Sequence, residues 1–110
     1  MKFAIPMLNG QITAHFGHCE KFAVVETKDN KVISEEMLTP PVHQPGAYPR
    51  FLAEKGVEVI IAGGMGQQAQ NLFAQNNIEV FMGVATGTSK ELVENYLNNQ
   101  LDTGDNLCTH

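Results

Sequence analysis

The stretch Ile12-Thr13-Ala14-His15-Phe16-Gly17-His18-Cys19 sets two imidazoles and one thiol within five residues. A second cluster, Cys108-Thr109-His110, closes the chain, so both cysteines and three of the four histidines fall in two short tracts. Thiolate and imidazole are the ligands that soft and borderline metals and metal–sulfur clusters select. Cys19 is the strongest single metal-ligand candidate, with His15 and His18 next. Cys108 and His110 are the closing pair if the fold brings the two tracts together. Each tract also has a plainer reading. The first is a connection plugged by Phe16, with histidines bonded locally; the second is a tail without fixed structure.

Gly63-Gly64-Met65-Gly66 follows an apolar run and opens a helix. Exposed main-chain N–H groups and a helix dipole bind anions at such turns. The anion would be a phosphate, an oxometallate or the sulfides of a cluster. The run lacks the Lys-Ser/Thr of a P-loop and the glycine spacing of a dinucleotide site. Tight strand-to-helix turns also use glycine for geometry alone. Met65 offers a thioether or simply packs. Residues 83–88 repeat the arrangement at the next strand, and are expected beside the Gly63 turn so that two helix starts face one crevice. Gly17 lets the main chain approach a ligand. His43, in a proline-rich loop, reads either as a lid over that ligand or as an exposed loop histidine. Conventional catalysis has little support. A serine or cysteine nucleophile needs a positioned base with its own orienting partner, and the first strand carries no carboxylate for metal-assisted phosphoryl chemistry.

The elements that must position these residues follow from periodicity. Residues 3–7 read as a buried strand, 8–11 as a turn or loop, and 22–27 and 32–38 as two strands of a hairpin joined by Lys28-Asp29-Asn30-Lys31. Pro40, Pro41, Pro45 and Gly46 hold 39–49 in a loop. A helix starts at Pro49 and ends before Gly56, with Phe51, Leu52 and Ala53 inward. Residues 57–62 form a strongly apolar central strand. A helix over 67–75 follows, with Ala69, Leu72 and Phe73 in register. Residues 78–82 are a strand, and Thr88-Ser89-Lys90-Glu91 is a capping box that opens the last helix. That helix sets Leu92, Val93, Tyr96 and Leu97 on one face. The order βββαβαβα implies an α/β domain whose mixed sheet has parallel pairs joined by crossovers plus an antiparallel hairpin. Ligands of such sheets collect at the carboxyl ends of the strands.

At 110 residues the chain fits one domain with a core of its own. Seven basic residues stand against twelve acidic ones, for a formal charge of −5 and no Lys/Arg run. That balance argues against nucleic acid as partner and against an anionic membrane. The opening Met1-Lys2-Phe3-Ala4-Ile5-Pro6 does not read as a signal peptide, and no stretch reaches spanning length. The expectation is a soluble cytoplasmic protein with both thiols reduced.

The first strand, His15-Phe16-Gly17, the strand leading to Gly63-Gly64-x-Gly66, and the helix end Tyr96-Leu97…Leu101 together resemble the dinitrogenase iron–molybdenum cofactor biosynthesis domain. This is the NifX-like domain, which is also the C-terminal part of NifB-type proteins. The resemblance covers nearly the entire chain, with residues 1–101 as a single NifX-like domain and 102–110 as a C-terminal tail. It implies a ribonuclease-H-like fold with a mixed five-stranded sheet and flanking helices. It also implies binding, storage or transfer of an iron–sulfur or molybdenum-containing cluster, without turnover. His15 and Gly63, Gly64 and Gly66 match the family's cofactor contacts. His18 and Cys19 depart from it, at positions where many relatives have Arg or Lys and a small residue. The Cys108-Thr109-His110 ending is similar to a Cys-x-His tail in a subset of relatives. A carrier implies a transient partner, the donor or acceptor of the metallocofactor. Two other readings stay open: a non-metal regulatory or interaction module that binds at most a small anion at the glycine turns, and a structural zinc site.

Overall fold

The computed structural model describes residues 1–13, 19–41, 47–84 and 87–98. Six strands and three helices occur among them: β1 (Lys2–Leu8), β2 (Gln11–Ile12), β3 (Lys21–Lys28), β4 (Lys31–Leu38), α1 (Ala47–Glu54), β5 (Val59–Ile61), α2 (Gln67–Gln75), β6 (Glu79–Phe81) and α3 (Ser89–Leu97). The sheet runs β4-β3-β1-β5-β6, with β2 attached to β1. β1, β5 and β6 are parallel. β3 is antiparallel to β1, and β4 to β3.

The expected five-stranded sheet is therefore a six-stranded one, and the element order gains a strand. The reason is chemical. Asn9 and Gly10 both take positive φ, 55° and 81°, while Leu8 pairs with Gln11 and Met7 with Ile12. Two residues with positive φ are what a two-residue hairpin turn requires, and Asn-Gly is its strongest sequence signal. The segment read as turn or loop is thus a short ribbon folded back on β1. Asp29 and Asn30, with φ of 54° and 62°, make the same type of connection between β3 and β4, as the hairpin reading expects.

The alternation of side chains divides the core between the two faces of the sheet. Ala4, Phe22, Val24 and Ile60 lie under α1 and α2, packed with Tyr48, Leu52, Met65 and Phe73. Phe3, Ile5, Val25, Val59 and Ile61 lie under α3, packed with Leu92 and Val93. Tyr96 closes the α3 side with edge-on contacts to Phe3 and Phe81, at centroid distances of 4.9 and 5.3 Å. Pro6, which has no N–H to give, sits where the ladder from β1 to β5 has ended, since β5 pairs only with Phe3 and Ala4. No helix among the described residues is long and apolar enough to cross a membrane.

Candidate functional site

Because β1, β5 and β6 are parallel, their carboxyl ends share one rim. Antiparallel pairing brings the start of β3 and the end of β4 to the same rim. Every connection singled out by its chemistry leaves from there. The first crossover departs and returns beside the end of β1: the Thr13 N–H donates to the Pro6 carbonyl at 3.0 Å, and the Glu20 N–H donates to the Met7 carbonyl at 2.8 Å. The two feet of residues 14–18 are thereby fixed to consecutive residues of one strand. His15, Gly17 and His18 themselves lie outside the described residues, as do His43, Cys108 and His110. The boundary between the 1–101 domain and its tail also falls outside them.

Cys19 is the described member of the first tract. It stands at the entry to β3, partly buried, with a free thiol, and packs against the cluster under α1 and α2. Burial pushes that thiol up from 9.0 to about 11; a main-chain hydrogen bond partly opposes the rise. At neutral pH the side chain is a neutral thiol. Tyr48, in the first turn of α1, belongs to the same cluster and is only 5% exposed. Its phenol is pushed up by burial and then by the neighbouring Cys19, because two adjacent acids each disfavour the anion of the other. The Tyr48 ring is held edge-on to Phe22 at 5.2 Å. Sequence reasoning missed Tyr48. An aromatic residue just before Pro49 marks a helix start, but nothing in the order of residues brings it to a cysteine on another element.

Gly63, Gly64 and Met65 are buried beyond the end of β5. The Gly83 N–H donates to the Gly63 carbonyl at 2.9 Å, which ties the turns after β5 and β6 together. Cys19 enters on β3 and the glycine turn leaves β5, with only β1 between them. Two strand spacings put them about 10 Å apart at the rim. Met65 is 1% exposed and part of the core, so its thioether packs.

The two helix starts differ. α2 opens on Gly66, which supplies no side-chain cap, and has no acid in its first turn. Its first N–H groups keep the partial positive charge of a helix start. α3 opens on Thr88 with a complete capping box: Thr88 accepts from the Glu91 N–H, and the Glu91 carboxylate accepts from the Thr88 N–H. Those bonds hold the Glu91 carboxyl below the usual carboxylate range. α3 therefore carries its own anion, and it packs on the opposite face of the sheet from α2. The two helix starts expected to face one crevice thus lie on opposite faces of the sheet. β2 stands at the boundary, with its Ile12 N–H donating to the Gly87 carbonyl at 3.0 Å.

Among the described residues no three His, Cys, Asp or Glu side chains group as metal ligands. What these residues provide at the rim is one thiol, a phenol beside it and an uncapped helix start on the same face. They provide no carboxylate pair and no nucleophile–base couple.

The model of the dinitrogenase iron-molybdenum cofactor family matches residues 1–99. The protein MJ0580 of Methanocaldococcus jannaschii is 34% identical over 107 residues, which cover 93% of this chain and 90% of that protein. Among solved structures, PH0822 superposes with a TM-score of 0.87 at 25% identity, over 98% of this chain and all of the other. The apo form of the orange protein from Desulfovibrio gigas superposes with a TM-score of 0.77 at 22% identity, over 96% of this chain and 93% of that one, a likeness of fold.

Proposed function

Since the chain belongs to the dinitrogenase iron-molybdenum cofactor family, we propose that it binds a preassembled metal–sulfur cluster at the carboxyl rim of its sheet and passes it to another protein. The cluster, iron–sulfur or molybdenum-containing, is cargo. The observation that carries the reading is the position of Cys19: a soft ligand at the rim, on the face where α2 opens without a cap. The fold's likeness to the apo form of a protein named for its colour supports it.

In this reading Cys19 supplies the thiolate, and the first-turn amides of α2 donate hydrogen bonds to sulfide or oxo groups. His15 and His18 add imidazole from the crossover whose feet are fixed at Thr13 and Glu20. Cys108 and His110 close the site, and His43 covers it. The Cys19 thiol must lose its proton to ligate, and burial opposes that loss until a metal's charge compensates. Loading therefore releases a proton, and an unloaded chain keeps Cys19 unreactive. A carrier of this kind performs no turnover, and it works in the cytoplasm, where thiols stay reduced. The ribonuclease-H-like arrangement belongs to the same reading.

Anaerobic reconstitution with iron and sulfide, with and without molybdate, tests it. Wild-type protein gains visible charge-transfer bands that Cys19→Ala weakens or loses. Equal, featureless spectra from both would refute the carrier. Colourless protein that retains zinc on elemental analysis would replace it with a structural metal site.

A further inference from the structure

β4 is an edge strand, hydrogen-bonded to β3 on one side only among the described residues. Open edges invite pairing, and proteins blunt them with charged side chains (lysine above all), proline or a bulge. The lower half of β4 has such devices. It begins at Lys31, and its register shifts where Glu26 pairs with Ser34 and Thr27 with Val32, which leaves Ile33 without a partner. The upper half carries acidic charge alone, Glu35 and Glu36. Ser34–Leu38 contains no lysine or proline, and its register against β3 is regular from Glu26 to Phe22. Met37 on this half is 46% exposed.

We propose that Ser34–Leu38 docks an extended, basic segment of a partner protein by strand addition. Charge selects the occupant. Glu35 and Glu36 point to opposite faces of the sheet. Glu35 is engaged, since its carboxylate accepts a hydrogen bond from the Ser89 hydroxyl of α3. Glu36 is exposed and has no side-chain partner among the described residues. A second copy pairing antiparallel about these residues would set carboxylate against carboxylate, and directly opposed like charges destabilise a strand pair. A strand with Lys or Arg opposite Glu36 and an apolar residue opposite Met37 meets both features. The chain as a whole, with a formal charge of −5, favours the same sign of partner. β4 also leads directly to the candidate site. Leu38 is followed by Thr39, whose hydroxyl accepts from the Lys21 ammonium at 2.6 Å, at the rim where Cys19 enters β3. A segment seated on β4 would reach that rim. The surface requires no cargo, so its test is independent of the cluster reading.

The test uses metal-free protein and two synthetic peptides of equal length, one alternating Val with Lys and one alternating Val with Glu. Amide hydrogen exchange and amide chemical shifts are followed across the chain. The Lys peptide should slow exchange in Ser34–Leu38 and leave the other edge, Glu79–Phe81, unchanged. Glu36→Lys should weaken it roughly fivefold and improve the Glu peptide, the scale expected for reversing one exposed cross-strand charge pair. Glu36→Gln, which removes the charge without reversing it, should fall between. No slowing at β4, an equal response to both peptides, or slowing that grows with protein concentration and no peptide would each overturn the proposal. The last outcome would assign the edge to self-pairing.

Discussion

The raised thiol of Cys19 makes a quantitative demand on its reactivity. In a Cys108→Ser background, Cys19 is the one remaining cysteine, and its alkylation by iodoacetamide can be followed against pH. A rise from 9.0 to about 11 leaves roughly a hundredfold less thiolate at neutral pH than an ordinary thiol has. Each thiolate is more nucleophilic because it is more basic, by about eightfold with a Brønsted slope near 0.45. Ionisation alone therefore slows alkylation about tenfold, and limited access slows it further. The position of the inflection is the cleaner readout, since access scales the whole curve without moving it. It should lie near 11 in the folded chain and fall to the ordinary thiol range in denaturant. An inflection at or below 9 in the folded chain would refute the placement of Cys19 against the core. Stability must follow the same linkage. A thiol whose pKa is raised by folding contributes fully below its unfolded value and loses that contribution as pH rises through the folded one. The urea midpoint should thus decline between about pH 9 and 11, and decline less in Cys19→Ala. Tyr48 adds a change of the same sign, which also shrinks in that variant because Cys19 is one of its causes.

Three further perturbations separate structural from functional residues. Thr88→Ala removes the side-chain half of the α3 capping box and should cost about 1 kcal/mol in denaturant unfolding, with no effect on cluster loading because α3 opens on the other face. Gly66 has φ of −66°, and a Cβ there meets nothing within 4 Å, so Gly66→Ala should leave unfolding within about 0.5 kcal/mol of wild type and lower loading if the bare turn serves a ligand. Gly87→Ala is the contrast: φ is +136° and a Cβ would lie 3.0 Å from Leu92 Cδ2. That variant should lose about 1–3 kcal/mol.

The parts legible in the sequence were those governed by local chemistry. Helix α2 spans the residues that its apolar spacing predicts, and the Thr88 box forms as its residue types require. The Asp29-Asn30 connection closes the predicted hairpin. β2 was hidden because two residues show no periodicity; only the Asn9-Gly10 pair announced it. α1 begins at Ala47, two residues before Pro49, since proline is tolerated anywhere in a first turn. The candidate site was legible as a rim with the Cys19 thiol upon it. Its electrostatics were not, because the burial of Cys19 and its neighbour Tyr48 arise from packing β3 under α1. The opposite facing of α2 and α3 was equally invisible, as it depends on which side of the sheet each crossover passes.

The two hydrogen bonds that stake Thr13 and Glu20 to neighbouring carbonyls of β1 have an evolutionary consequence. A connection anchored at both ends by main-chain atoms makes no demand on the identity of the side chains it carries. Substitution between those anchors can rewrite chemistry without retooling the scaffold. One sheet can in this way present different side-chain sets between the same two stakes.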